Sequence, residues 1–336
     1  MTTTDWREKL GPLAPRASVL VPCYNEADAL PLLVEEVRKH FSERFSNEWE
    51  MVLVDDGSMD GTTGLIRMLC ATDPRIKGVI LSRNFGHQPA VSAGLQECSG
   101  HMVGIVDCDL QDPIEILMEL YQQVETEGYD VAFGVRARRE GSIFLRFLYR
   151  TFYRLIAAFS DHPWQLDSGD FCVMNAKAVR LIGSLPEKVR MLRGLRSWIG
   201  LKQIGLPYDR PRRIAGKSKY NLWRLTALGL NAFVGFSSLP LRLASACGVL
   251  SGIVAVGLAF LFLANRLFPE LFPWGYSLRA NPGVATLAIL MTLIGSIILI
   301  CLGVIGEYVN LLVKEIKGRP GVIVAEVIHN KAKPRA

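Results

Sequence analysis

Four short apolar runs, each closing on a cluster of polar residues, restrict this chain more than any other feature it has. Ala17–Val21 stops at Pro22 and opens into Cys23-Tyr24-Asn25-Glu26. Trp49–Val54 ends in Asp55-Asp56-Gly57-Ser58, and Gly78–Leu81 in Ser82-Arg83-Asn84-Phe85-Gly86-His87. The fourth run, from Val103, ends in Asp107-Cys108-Asp109-Leu110-Gln111-Asp112-Pro113. Runs rich in β-branched residues that close on turn residues read as buried strands. Between them, spacings such as Leu30, Leu33, Val34 and Val37 predict helices. Strands alternating with helices predict an α/β fold built on a parallel sheet. Such sheets bind ligands beyond the carboxyl ends of their strands, which is where all four polar clusters fall.

Asp107 and Asp109 stand at i and i+2, and on a continuing strand they would share a face. Hard oxygen ligands that close suit Mg²⁺ or Mn²⁺ beside a phosphate. The same residues also suit a strand running into an Asx turn, so the local pattern leaves both readings open. No G-x-G-x-x-G or G-x-x-x-x-G-K-[ST] occurs, which excludes the usual dinucleotide fingerprint and the P-loop. Phosphates are then left to a metal and to basic side chains. Asp56 and Glu26 also suit simple turn or helix caps.

The rest of the chain points to a membrane. Half of its 336 residues are hydrophobic, and the mean hydropathy is +0.23. Residues 243–263 and 283–306 carry no charge, and at ~1.5 Å per residue each can cross a hydrocarbon core of roughly 30 Å. The only basic residues in the intervening 264–282 are Arg266 and Arg279, whereas Arg224, Arg242, Lys314, Lys317 and Arg319 flank the other ends. The positive-inside rule therefore predicts a multi-pass inner (plasma) membrane protein with its catalytic domain, 1–220, and its tail, 307–336, in the cytoplasm. Residues 264–282 become an extracytoplasmic loop, and the tail from Glu326 onward is expected to be loose.

Around 142–160, Phe144, Leu148, Phe152, Leu155 and Phe159 recur at helical spacing, with Arg146, Arg150 and Arg154 on another face. That pattern fits a helix lying in the membrane interface, and also a solvated arginine face on a packed helix. Residues 221–242, with Trp223 and Phe236, predict a second interfacial helix. The formal charge of +6 suits an anionic substrate or membrane surface. No basic arm or repeat points to nucleic acid. Seven scattered cysteines without a C-x-x-C pair argue for a reducing compartment and against a disulfide or zinc framework. The charged N-terminus has no apolar stretch of the signal-peptide kind. Small residues at Gly248, Gly252, Gly295 and Ser296 permit close helix packing, compatible with a homo-oligomer.

PCYNE, VDDGS, DCDLQDP, SGDF and RRIAGKSKY, in that order, resemble the inverting family-2 glycosyltransferases that load a sugar onto a polyisoprenyl phosphate. That group includes dolichol-phosphate mannose synthases, bacterial undecaprenyl-phosphate glucosyltransferases and aminoarabinose transferases. The resemblance runs from Ala17 to Gly318 and implies a GT-A fold, a nucleotide-sugar donor and a divalent cofactor, Mg²⁺ or Mn²⁺. It implies that Pro22, Tyr24, Asn25, Glu26, Asp55, Asp56, Asp107, Asp109, Ser218 and Lys219 hold the nucleotide sugar. Asp107, Asp109 and Gln111 would hold the metal, and Arg136 with Arg146 or Arg150 the acceptor phosphate. Asp170, Arg136 and Arg213 would stand at the reacting centre. Cys108 replaces a frequent alanine and Ile114 a frequent second proline, and neither change removes an oxygen ligand.

The family's counterpart of Asp170 is proposed as a base. A phosphate monoester has its second pKa near about 6, so the acceptor is already mostly a dianion at neutral pH. Asp170 is therefore expected to orient groups or balance the arginines. His87 is expected only to pack its loop. The resemblance to two-span bacterial members favours UDP-glucose and undecaprenyl phosphate, with GDP-mannose or UDP-aminoarabinose as alternative donors. A processive synthase would carry Q-x-x-R-W, which is missing here. The reading from another class is a non-catalytic membrane scaffold.

Overall fold

The computed structural model describes residues 14–136, 168–187, 190–209 and 283–329, with positions 244, 248–254, 256–257, 260, 264 and 267–268. The expected interfacial helices, around 142–160 and over 221–242, lie outside the described residues. The chain divides into two units, one of residues 1–157, 162–221 and 318–336, the other of 158–161 and 222–317.

The first unit is built on β1 (Ala17–Cys23), β2 (Trp49–Asp55), β3 (Ile76–Leu81), β4 (Met102–Ile105), β5 (Val131–Arg136), β6 (Ser168–Asn175), β7 (Gln203–Tyr208) and β8 (Val324–Ile328). These form one sheet in the order β7-β5-β6-β4-β1-β2-β3-β8. The sheet is mixed rather than parallel, because β6 runs antiparallel to β4 and β5, and β8 antiparallel to β3. The alternating pattern predicted only the parallel part. The residue pattern of a strand does not record its direction, so antiparallel members of a mixed sheet have no such signature.

Strands buried on both faces need helices on both sides. On one side lie α1 (Leu30–Phe45), α2 (Thr62–Thr72) and α4 (Ile114–Glu125), whose apolar residues meet Val19, Val21, Met51 and Leu53. On the other lie α3 (His87–Glu97), α5 (Ala176–Ser184) and α6 (Leu192–Trp198), which meet Leu20, Val52, Val54 and Ile105. The fit of α3 is close: a Cβ at Gly94 would collide with Leu20 Cδ1. Glycine is what lets this helix lie against β1.

Pro22 does not end β1, which continues to Cys23. It ends something else. Leu20 O accepts the Val106 N–H at 3.1 Å, so Leu20 faces β4. Two residues on, Pro22 faces the same neighbour without an N–H to give. The β1–β4 ladder stops there, and Asp107 leaves the sheet.

The tail expected to be loose from Glu326 onward starts inside β8, which covers the β3 edge with Val327 opposite Val79. Its sequence, VAEVI, is a five-residue strand too short for its period to stand out beside the long apolar run before it. In the second unit, α7 (Gly283–Ile316) continues ten residues beyond the expected end of the second apolar span. Its stretch Leu293–Asn310 is long and apolar enough to cross a membrane, the only such helix among the described residues. Residues 248–254 are also helical, and Cys301 Sγ lies 3.4 Å from Ala244 O.

Tyr121 on α4 ties the strands together. Its buried hydroxyl accepts the Gly104 N–H at 2.8 Å and donates to Ser18 O at 2.5 Å. Tyr121→Phe strands both backbone groups in the interior and is expected to lower stability by about 1–3 kcal/mol. Thermal unfolding of the two proteins side by side checks this; an unchanged midpoint would show that the hydroxyl is dispensable.

Candidate active site

The strand ends are knitted to one another through side chains. Cys23 pairs with Asp55, so β1 and β2 finish level. Asn25, held at a φ of 53°, gives its N–H to Ser58 Oγ at 2.9 Å and accepts the Met59 N–H at 2.8 Å. The Glu26 N–H reaches Thr62 Oγ1 at 3.0 Å. Tyr24 keeps about a third of its surface exposed at this mouth. Pro22 is buried within the strand behind it.

Asp55 is fully buried and accepts from the Ser58 N–H, at 2.9 Å, and from the Thr63 hydroxyl. Asp56 accepts from the Phe85 and Gly86 N–H groups at 2.7 and 2.9 Å, which fixes the loop entering α3. Burial lifts its carboxyl above the usual range, although both N–H groups pull it down. Gly57, at a φ of 71°, lies where a Cβ would be 2.6 Å from Arg83 C and Asn84 N. Only glycine lets these two loops come so close.

Asp107 meets Asp170 through sheet register. Met102 pairs with Asn175 and Ile105 with Cys172, antiparallel. Continuing that register two residues sets Asp107 opposite Asp170. His87 Nε2 lies between them, 3.8 Å from Asp107 Oδ1 and 3.3 Å from Asp170 Oδ2. Gln88 Nε2 donates to the same Asp170 Oδ2 at 2.6 Å, and Gln88 Oε1 accepts the Leu192 N–H at 2.8 Å. Arg193 Nε is 3.8 Å from Asp170 Oδ1.

Burial opposes charge on both His87 and Asp170, and pairing overrides it. The Asp170 hydrogen bond and the Asp107 charge raise His87 to about 9. His87 and Arg193 draw Asp170 down to about 2. A carboxylate that acidic is a poor proton acceptor, which agrees with an orienting role.

Arg136 lies opposite Tyr208 on β7. Tyr208 donates to Asp112 Oδ1 at 2.6 Å. Burial pushes the Tyr208 hydroxyl up, and the Asp112 charge adds to the rise. Burial opposes the Arg136 charge, but Tyr208 and the carboxylates Asp112 and Asp107 strengthen it. Arg136 Nε is buried without a hydrogen-bond partner among the described residues. Its Nη2 lies 3.7 Å from where a Cβ would stand at Gly169.

The residues present fit a divalent cation. Burial lifts the Asp107 carboxyl to about 6 against the pull of His87, and Asp112, Asp109 and Asp170 add to the rise. This excess of carboxylate charge is what a cation relieves. Asp109 accepts the Gln111 N–H at 3.2 Å around Leu110, whose φ is 57°. The strand ends at Ile105, so Asp107 and Asp109 stand in a turn and not on a continuing strand with a shared face. Elsewhere among the described residues, Glu36, His40 and Glu115 bring three ligand atoms within 4.8 Å of one another in the α1–α4 layer.

Arg146, Arg150, Arg213, Ser218 and Lys219 lie outside the described residues. The described part brings together Tyr24, Asn25, Glu26, Asp55 and Asp56 at one mouth, and Asp107 with Asp170 beside it. Sequence reasoning missed Gln88, Arg193 and Tyr208 and misjudged His87. His87 did stand in the third polar cluster, and its position past a strand end was the available signal.

A mixed α/β sheet whose strand ends carry Asp55, Asp56 and Asp107 is the GT-A-like arrangement of a glycosyltransferase. The chain belongs to glycosyl transferase family 2, whose family model matches residues 18–183. It is 36% identical over 311 residues to an uncharacterized glycosyltransferase of Bacillus subtilis (strain 168), across 91% of this chain and 92% of that protein. It is 34% identical to a prophage bactoprenol glucosyl transferase homolog of Escherichia coli (strain K12), across 93% of this chain and 99% of that protein. Among solved structures, a mannosyltransferase from Pyrobaculum calidifontis in complex with GDP-Man and Mn²⁺ covers 90% of this chain and 87% of that one, at 18% identity and a TM-score of 0.43.

The raised Asp107 carboxyl has a sign that can be measured. Ionising it in the metal-free fold is unfavourable, so its destabilisation grows as pH rises from about 4 to about 6 and is complete above that. About a third of the side chain reaches solvent, so the effect is discounted to about 1 kcal/mol. Asp107→Asn is expected to raise the metal-free melting temperature by about 2–4 °C at pH 7.5 and not at pH 4. Thermal melts at the two pH values decide it. A lower melting temperature at pH 7.5 would show that the carboxylate stabilises the empty site.

Proposed function

We propose that the protein transfers glucose from UDP-glucose to a polyprenyl phosphate, undecaprenyl phosphate in bacteria, at the cytoplasmic face of a membrane. The observation that carries this reading is the extent of the similarity to bactoprenol glucosyl transferases. It spans 99% and 97% of two proteins so named and more than nine-tenths of this chain, not the sugar-nucleotide domain alone. The juxtaposed Asp107, Asp170 and Arg136 supply chemistry suited to it.

The acceptor phosphate, already a dianion at neutral pH, attacks the anomeric carbon in line. A bond forms from phosphate oxygen to that carbon as the bond to the UDP oxygen breaks, with inversion. The electron pair leaves on the β-phosphate. No proton need be removed, in keeping with an acidic Asp170. Arg136 holds the acceptor phosphate through the edge that ends in its unpartnered Nε, with Arg146 or Arg150 as a second cation. Tyr24, Asn25, Glu26 and the Asp56 loop receive the nucleoside. Arg213, Ser218 and Lys219 close on the diphosphate and balance the leaving charge. Asp107, Asp109 and Gln111 would hold Mg²⁺ or Mn²⁺, which offsets charge developing on the diphosphate.

Strand pairing supports a two-span reading. One sheet holds both β1–β7 and β8, so a chain that leaves it before 222 and returns after 317 would cross a membrane an even number of times. With α7 as one crossing, the uncharged run 243–263 would be the other. The flanking arginines and lysines support a cytoplasmic sheet.

The test is transfer from radiolabelled UDP-glucose, GDP-mannose and UDP-aminoarabinose to undecaprenyl phosphate, with Mn²⁺ or Mg²⁺ and with chelator. Glucose transfer that chelator abolishes is the expected result, and Asp109→Asn should lower kcat roughly 100-fold or more. Transfer of another sugar replaces the donor. No transfer by the folded protein from any donor puts the scaffold reading first.

A further inference from the structure

Asp170 has two unlike oxygens. Oδ2 takes Gln88 Nε2 at 2.6 Å and His87 Nε2 at 3.3 Å. Among the described residues Oδ1 is buried without a hydrogen bond, and Arg193 Nε lies 3.8 Å from it. The side chain is about nine-tenths buried, so its orientation is imposed by these neighbours. Both donors to Oδ2 come from the first two residues of α3. That helix start is itself fixed, because Asp56 holds the Phe85 and Gly86 N–H groups immediately before it. Gln88 is fixed from the other side by the Leu192 N–H at the start of α6. His87 also faces Asp107, the carboxylate placed on the donor side.

We propose that His87 and Gln88 are positioning residues for sugar transfer, a clamp that commits one oxygen of Asp170 and fixes its carboxylate beside Asp107. The inference rests on the transferase reading above and extends it to residues with no assigned part. The clamp explains why Asp170 can be buried beside Asp107 without turning away from it. An N–H donor occupies the space between the two carboxylates, and the amide of Gln88 blocks rotation about the terminal bond. It also ties the loop after β3, through Asp56, to the same oxygen, so the nucleoside mouth and the reaction centre share one anchor.

A packing role and a clamp predict different kinetics. If His87 and Gln88 act through Asp170, their loss should be coupled to its loss. His87→Gln is expected to lower kcat roughly 10- to 100-fold, the range for removing a partner that orients a reacting-site ligand, while the donor KM stays within about twofold. In a double-mutant cycle, His87→Gln with Asp170→Asn should be no slower than Asp170→Asn alone, within about twofold. Gln88→Ala, taken through the same cycle, should behave alike, and it decides between the two roles should His87→Gln fail to fold by thermal melting. Multiplicative losses in the cycle, or a weakened donor KM at unchanged kcat, would overturn the clamp. The cycle is run on whichever donor the wild-type protein transfers. An unexpected sugar therefore corrects the substrate alone, and the coupling still judges the clamp.

Discussion

One antiparallel strand, β6, lies between β4 and β5, and the chemistry of the sheet's polar end depends on its register. In a purely parallel sheet every loop at that end follows a strand and leads to a helix, so its residues arrive in sequence order. A strand running the other way delivers residues from its own beginning. Ile105 opposite Cys172 sets Asp170 against Asp107, and Val135 opposite Ser168 sets Gly169 near Arg136. Shifting β6 by one residue would turn Asp170 to the other face of the sheet. The hydrophobic alternation of Phe171, Cys172, Val173 and Met174, divided between the two cores, is what resists such a shift.

The neighbourhood so formed is crowded with charge. Asp107, Asp109, Asp112 and Asp170 act on one another, and His87, Arg193 and Arg136 are set among them. Burying charges is unfavourable unless each finds a partner, and here nearly every partner is supplied by a different element. His87 meets Asp107 as well as Asp170, yet burial and the neighbouring carboxylates keep the Asp107 carboxyl raised while Asp170 stays ionised.

Much of this could be read from the chain beforehand. Tyr24-Asn25-Glu26, Asp55-Asp56 and Asp107-Cys108-Asp109 each follow a β-branched run, and a parallel sheet must bring such ends together. Asp170 was found through resemblance, but its meeting with Asp107 is a matter of register, which no local pattern records. His87 was taken for packing because only the loop's composition was visible. That its ring reaches two carboxylates depends on Asp56 fixing the backbone before it, through contacts 29 and 30 residues apart in sequence. Pro22 shows the opposite case. Its missing N–H was plain from the start, yet the ladder it ends is the one to β4, and that required knowing which neighbour it faces. Val324–Ile328 was lost in a polar tail because a short edge strand has too few residues to show a period.

β8 also has a consequence for how the protein is made. A chain emerges from the ribosome in order, and the β3 edge stays uncovered until residues 324–328 have followed the long apolar segments out. During that interval the half-built domain presents a row of unpaired N–H and C=O groups, the kind of edge that recruits strands from other chains. Arg67 and Glu326, an ion pair between α2 and the arriving strand, then favour this edge over a competitor. A chain cut short within its apolar segments would keep every residue discussed at the active site and still carry an open edge. Completeness of the sheet thus reports that synthesis has passed residue 328.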